Sequence, residues 1–360
     1  MDLLGGLSLL GLRRKMSTFG LDIGSSAVKT VELASRNGGA VVLRSCASVH
    51  LPRRAIIDGA IQDTGAVADA IRQCVRDAGV TSRAAVISIS GRETITKRVP
   101  LPRVSRRELA DAIMFEAEHH IPFAVDEVFV DYQVVGKSVD AMDVLLVAVK
   151  RPKVLEYMAA VEAAGLEVAV VDLDAFAMQN QFELGARGTG GEAVALVDIG
   201  ATLTKTNVVR DGVPIFVRDV PFGGNQYTEA IADRLGVSFE EAESAKQGEH
   251  IGRRGEDMIP TLESVSRELS LEIQRTFDYL ASSTESERIG RVVLSGGCAR
   301  LTGLDDFLSS SWGIPVEHAR PFQAIQVEEA RLGADEVEKL GSILAVAVGL
   351  SLRMPGDKPT

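Results

Sequence analysis

The sequence predicts an α/β protein built from two repeated halves, on three observations. "FGLDIGSSAVKTVEL" from Phe19 and "ALVDIGATLTKTNVV" from Ala195 are one element written twice: an apolar strand entering Asp-Ile-Gly, then small residues with hydroxyls, then a second alternating strand. Strand-period and helix-period segments alternate along the chain, as in helices layered on sheets. At 360 residues, with 46 % hydrophobic and 25 % charged residues, the chain is folded and long for a single core.

In chain order, "FGLDIG", "AVKTVEL" and "AVVLRSCASVH" read as strands, followed by a helix near Gly65 to Ala78 and then "AAVISIS" and "ETITKRV". After "VPLPRVS", Ser105 with Glu108 three residues on forms a capping-box signal for an amphipathic helix, which Pro122 closes. Strands "VFVDYQVVG" and "DVLLVAVK" precede a helix with Pro152 in its first turn and Gly165 at its end, then strand "LEVAVVD". A helix from Ala175 to about Leu184 leads through "GARGTGG" into the second Asp-Ile-Gly. The meander "ALVDIG", "LTKTNVV", "VPIFVRDV" repeats the first three strands, and a helix follows at about Asn225 to Leu235. Ser238 with Glu241 marks another capped helix, and "IPTLESVSRELSLEIQRTFDYLASS" is the longest helical pattern. "RVVLSGG" reads as a buried strand and "LGSILAVAVGLSL" as a late apolar helix.

The predicted organisation is a leader over 1–18, a first lobe of 19–99 plus 175–190, and an inserted subdomain over 100–174. A second lobe of 191–235 plus 291–352, its helical subdomain over 236–290 and a tail over 353–360 complete it. Ile113, Phe115 and Phe123 are expected in the core of the insertion.

A net charge of −11 argues against a nucleic-acid surface, which needs clustered Lys and Arg. Three scattered cysteines without CxxC spacing fit a reducing compartment, and adjacent His119 and His120 point to different sides of a helix, so neither set predicts a metal site. No run reaches the roughly 18 apolar residues of a membrane-spanning helix. "MDLLGGLSLLGLRRKM" reads as a disordered leader, with translation starting at Met16 as one form of that reading, or as a short interfacial helix with Arg13, Arg14 and Lys15 toward anionic lipid.

A turn of Gly with Ser or Thr can aim backbone N–H groups and hydroxyls at phosphate oxygens, and glycine removes the Cβ that would block approach. One Asp-X-Gly turn is common and usually structural. Two that face each other would let Asp22, Gly24, Ser25 and Ser26 grip a polyphosphate from one side and Asp198, Gly200, Ala201 and Thr202 from the other. The aspartates would hold Mg²⁺ through water, and the metal would neutralise the phosphates. Gly296 and Gly297 in "VVLSGGCARLTGL" would let an adenosine approach the backbone. Glu243 and Lys246 would face ribose and base, or form only a solvated helix pair.

The order of these motifs resembles the actin-like ATPase superfamily. Through "LDIGSSAVKTVEL", "VPLPRVSRRELADAIMFEAEHHIPFAVDEVFVDYQVVG", "VDIGATLTKTNVVRDGVPIFVRDVPFGGNQYTEAI" and "VVLSGGCARLTGLDDFL", it resembles within that superfamily the PilM family of type IV pilus assembly proteins, relatives of FtsA. The resemblance implies two ribonuclease-H-like lobes with ATP and Mg between them, and an FtsA-type subdomain at 100–174. It adds Lys29 and Arg300 to the nucleotide-binding set. It also places Asp174 where relatives orient the hydrolytic water, and an aspartate there is short enough to imply weak ATPase activity at most.

The implied function is an ATP-binding cytoplasmic adaptor. It would capture the cytoplasmic N-terminal peptide of PilN in a groove between the first lobe and the insertion, and help assemble the inner-membrane alignment subcomplex. Other pilus inner-membrane and motor proteins, a homo-oligomeric ring or collar, and peripheral association with the cytoplasmic face of the bacterial inner membrane are implied with it. Two alternatives share the superfamily. An FtsA-like membrane-associated filament protein would carry a basic amphipathic C-terminal helix that "LSLRMPGDKPT" lacks, and a small-molecule kinase would need a base beyond Asp174 and Asp198. A lobed relative without nucleotide, like the cytoplasmic part of GspL, is opposed by the intact Asp-Ile-Gly pair.

Overall fold

The computed structural model describes residues 17–35, 40–105, 107–137, 140–185, 190–248, 255–283, 288–327 and 340–357. The apolar leader through Met16 lies outside the described residues.

The first half runs β1 (Thr18–Ile23), β2 (Ala27–Ser35), β3 (Val41–His50), a small hairpin of β4 (Ile56–Ile57) and β5 (Ala60–Ile61), α1 (Thr64–Ala78) and β6 (Ala84–Ile89). Asp63 caps α1 by accepting the Ala66 N–H, and Gly79 ends it in the left-handed region, φ 66°. Next come β7 (Thr94–Pro102), α2 (Leu109–His120), β8 (Val128–Lys137), β9 (Ala141–Lys150), α3 (Arg151–Ala163), β10 (Glu167–Leu173) and α4 (Asp174–Gly185). The second half runs β11 (Ala193–Ile199), β12 (Thr204–Arg210), β13 (Val213–Val220), α5 (Gly224–Leu235), α6 (Phe239–Lys246), α7 (Gly255–Ser283) and β14 (Ile289–Ser295). It ends with α8 (Leu304–Trp312), β15 (Val316–His318), β16 (Ile325–Val327) and α9 (Ala345–Ser351).

Three sheets carry the architecture: a six-stranded one in the order β10-β6-β1-β2-β3-β16, a five-stranded one in the order β13-β12-β11-β14-β15, and a three-stranded one in the order β7-β9-β8. The run β6-β1-β2-β3 is repeated as β14-β11-β12-β13, with β1 and β11 each antiparallel to the next strand and parallel to the other neighbour. The doubled sequence element is thus a doubled sheet element.

Five layers follow. α1 and α3 cover one face of the six-stranded sheet, through Ile71, Tyr157 and Val161. α5, α7 and α8 cover the outer face of the five-stranded sheet, through Tyr227, Leu269, Ile273 and Leu308. Between the sheets lie α4 and α9, where Val86 and Val170 of one sheet share a core with Ala177, Met178, Val346 and Leu350 of the helices and with Leu196 and Val293 of the other sheet. The three-stranded sheet has its own core with α2, around Ile113, Ala117, Val144 and Leu146.

Several boundaries differ from the expectation. β10, placed in the insertion by sequence, pairs in parallel with β6 in the six-stranded sheet. Parallel strands need a crossover, and α3 supplies one, so the separately packed insertion spans β7 to β9. β16 and α9, assigned to the second lobe, both serve the first sheet: β16 pairs with β3, and α9 packs on β1 and α4. An apolar helix gains most where both sides are covered, and the space between the sheets provides that. Phe115 is 61 % exposed on α2, while Ile113 is buried and Phe123 half-buried, so only part of the expected core triad is core. α7 starts at Gly255, before the expected Ile259, and takes Pro260 into its second turn. Ser238 and Glu241 make the full capping box, whereas Glu108 accepts the Ser105 N–H at 3.1 Å but the helix begins only at Leu109.

A methyl at Gly349 would overlap the Ala177 carbonyl oxygen, and one at Gly20 would overlap that of Ala347. Gly349→Ala should therefore cost about 3 kcal/mol or more in urea unfolding, while Gly297→Ala, where a methyl meets nothing within 4 Å, should stay within about 0.5 kcal/mol of wild type.

Candidate functional site

The two Asp-Ile-Gly turns are built alike. In the first, the Gly24 N–H donates to the Ala27 carbonyl (3.1 Å), and in the second Gly200 does the same to Leu203 (2.9 Å). Asp22 stands directly opposite Lys29 in the β1–β2 register, and Asp198 opposite Lys205 in β11–β12. Directly opposed residues on antiparallel strands share a face. The carboxylates accordingly meet the ammonium groups, Lys29 Nζ to Asp22 Oδ2 at 2.8 Å and Lys205 Nζ to Asp198 Oδ1 at 3.0 Å.

Lys205 does more than its counterpart. Its Nζ also lies 2.9 Å from Oδ2 of Asp174, the first residue of α4, and the side chains of the pair are only 12 % and 8 % exposed. Burial pulls the Lys205 pKa down, but Asp174, Asp198 and Asp22 outweigh it and hold the ammonium well above the ordinary lysine value. Burial raises the Asp174 carboxyl, and the Lys205 ammonium overcomes that to leave it below the usual carboxylate range. The second oxygen of Asp198 accepts from the Ser295 hydroxyl at 3.1 Å.

The turns face each other, with Thr202 Oγ1 donating to Ser25 Oγ at 3.0 Å. Further contacts join the halves. The Gly91 N–H donates to Asp219 Oδ2, and the Arg53 guanidinium lies 4.1 Å from the ring centre of Phe239.

The expected adenosine residues come from two segments that meet at the start of α5. Lys246 Nζ donates to the Gly224 carbonyl (3.1 Å) and the Thr228 hydroxyl (2.8 Å), and pairs with Glu243 Oε2 at 2.6 Å. Burial raises the Glu243 carboxyl, and Lys246 with the surrounding donors brings it below the ordinary glutamate value. The pair is thus fastened to α5 rather than solvated. Cys298, next to Gly297, also packs against Gly224.

The two glycines after β14 have different roles. Gly296, φ 91°, is pressed against the backbone of Ile199, so its bareness serves chain packing. Gly297 opens on free space and is the one a base could approach. Arg300 is exposed at the end of the short 3₁₀ turn Cys298–Arg300.

An anion fits this arrangement. A Cβ at Gly24 would lie 3.2 Å from the Ala27 carbonyl oxygen and 3.7 Å from Lys29 Nζ, so the glycine keeps the turn uncrowded beside an ammonium group. The expected magnesium ion, held through water by Asp22 and Asp198, would compete with the ammonium groups that both carboxylates already meet. The assignment of Asp174 as the group that orients water meets the same obstacle, since its carboxylate is bound to Lys205. Lys205, Ser295, Thr228 and Asp219 were not singled out from sequence. The equal Asp-to-Lys spacing in both repeats was the signal available for Lys205.

A family model described as Type IV pilus assembly protein PilM matches residues 20–355. Among solved structures, the chain is similar to the PilM-PilN type IV pilus biogenesis complex, at 27 % identity over 96 % of this chain and 100 % of that one, with a TM-score of 0.83. It is also similar to the ethanolamine utilization protein EutJ from Carboxydothermus hydrogenoformans, at 17 % identity over 93 % and 88 % of the two chains, TM-score 0.56. MreB 5 of Spiroplasma citri bound to AMPPNP matches at 13 % identity over 93 % and 95 %, TM-score 0.51. The last two likenesses concern the fold alone.

Burial pushes the Asp219 carboxyl up to about 6, against the Gly91 N–H, which draws it down. A carboxyl with a raised folded-state pKa favours folding below the unfolded value near 4, and that contribution fades as pH rises through about 6. Asp219→Asn should therefore gain on wild type by on the order of 1 kcal/mol between about pH 4 and 7, read as diverging urea midpoints.

Proposed function

The chain belongs to the family of the type IV pilus assembly protein PilM and has the actin-like ATPase fold, and from that footing we propose that it is an ATP-binding adaptor of the type IV pilus machine. In this reading it captures the cytoplasmic N-terminal peptide of a PilN protein and helps assemble the inner-membrane alignment subcomplex. It acts at the cytoplasmic face of the inner membrane, held there through its partners. Among the described residues, no helix is long and apolar enough to cross a membrane.

The observation that carries the nucleotide part is the meeting of the two turns at Ser25 and Thr202, with Lys29 beside one of them. Lys29 and the 24–26 turn would hold phosphate oxygens from one half, and Ala201 and Thr202 from the other. Gly297, Gly224, Glu243 and Lys246 would frame the adenosine. When bound, the nucleotide supplies a polyanion that both halves can grip. The residues that now touch across the cleft would exchange those contacts for contacts to it. A ligand that binds one arrangement of the halves better than another shifts the population toward it, and a peptide bound to the same arrangement is coupled to it. Turnover is not required for such a switch, and the pairing of Asp174 with Lys205 favours an adaptor over a phosphoryl-transfer enzyme that needs a free base.

Calorimetric titration of ATP, and separately of a synthetic PilN N-terminal peptide, tests both parts. Wild type should bind each saturably. Lys29→Ala should weaken ATP by about tenfold or more while leaving the affinity for peptide alone unchanged. Failure of the peptide to bind would remove the adaptor reading, and failure of ATP to bind would remove the nucleotide.

A further inference from the structure

The floor of the cleft carries three aspartates on three different elements, Asp22 at the end of β1, Asp198 at the end of β11 and Asp174 at the start of α4, all at most 6 % exposed. Left alone, three buried negative charges would oppose both folding and the approach of an anion. The usual remedy is a divalent cation, which needs free carboxylate oxygens or their bound waters. Here each carboxylate already meets an ammonium group. Lys205 Nζ sits 2.9 Å from Oδ2 of Asp174 and 3.0 Å from Oδ1 of Asp198, the Ser295 hydroxyl donates to the other oxygen of Asp198, and Lys29 Nζ holds Oδ2 of Asp22.

Building on the nucleotide reading above, we propose that the Lys205 ammonium is the resident cation of this cleft. It stands in for a protein-held divalent metal, so that the chain binds a nucleoside triphosphate without one. An ammonium has three N–H donors, and the two aspartates account for two of them. The third is the one that would turn to a phosphate oxygen. Three aspartates against two lysines reduce the formal charge of the floor from −3 to −1 before any ligand arrives. The device is particular to the second repeat: Lys29 has one carboxylate partner, whereas Lys205 reaches across to α4 and joins the two sheets' connecting helix to the turn.

The test uses the full chain and ATP, titrated calorimetrically once with EDTA and once with excess Mg²⁺. Wild type should show affinities within about threefold of each other in the two buffers. Lys205→Gln should lose about tenfold or more in EDTA and recover with Mg²⁺. Lys205→Arg, which keeps the charge, should behave like wild type. Should Lys205→Gln fail to fold because two carboxylates lose their partner, Lys205→Gln with Asp174→Asn removes one charge of each sign and serves instead. A second readout needs no nucleotide: by electron paramagnetic resonance, wild type should leave added Mn²⁺ free, and Lys205→Gln should bind it.

Wild-type binding of ATP that collapses by about a hundredfold in EDTA would overturn the proposal and leave nucleotide binding standing. So would Mn²⁺ held by wild type in the absence of nucleotide. No binding of ATP in either buffer would instead overturn the nucleotide reading, and this inference with it.

Discussion

The close approach of α9 to α4, with no room for a methyl between Gly349 and the Ala177 carbonyl, sets the distance between the two large sheets. Everything at the cleft depends on that distance. α4 is bound to the second sheet as well, through the Asn207 amide donating to the Ala175 carbonyl at 2.7 Å. The two helices form a small-residue wedge whose apolar sides face both sheets, and dense interiors of this kind do not deform gradually. A shift of the wedge would part the Ser25–Thr202 contact and move Asp174, which begins α4, away from Lys205.

The charged floor is the second constraint. Burying an ion pair is weak evidence of stabilisation, because desolvation of both groups offsets most of the attraction. Its value lies elsewhere: once Asp174 and Asp198 are buried, removing Lys205 would leave two uncompensated charges, a loss commonly of about 3–5 kcal/mol for one broken pair. The lysine therefore locks α4 to the β11–β12 turn in one arrangement. Lys246 plays a comparable part beside α5, where it ties Glu243 and Thr228 to the Gly224 carbonyl.

Among the described residues, the halves meet at the open side of the cleft through contacts that include Ser25 with Thr202, Gly91 with Asp219 and Arg53 over Phe239, and at the wedge through a shared apolar core. That asymmetry is suited to a hinge. Polar contacts can be exchanged for ligand contacts at small net cost, whereas separating the wedge would expose a shared apolar core.

The sequence by itself determined what local chemistry decides. The doubled Asp-Ile-Gly turn and the helix start at Ser238 follow from patterns a few residues long. The opposition of each aspartate to a lysine is equally local, since strand pairing across a tight turn leaves little freedom in register, although the sequence reading did not draw it. Only the tertiary structure decided which distant elements share a layer. β10 and α9 were apolar and correctly typed, yet their sheet could not be read, because an apolar strand or helix fits equally against any uncovered face, and the three-residue β16 was not read as a strand at all. For the same reason Phe115 was expected inside and lies outside. The reach of Lys205 to Asp174 and of Gly91 to Asp219 joins residues from different layers, and that partner choice is set by how the wedge spaces the sheets, a distance no short stretch of sequence encodes.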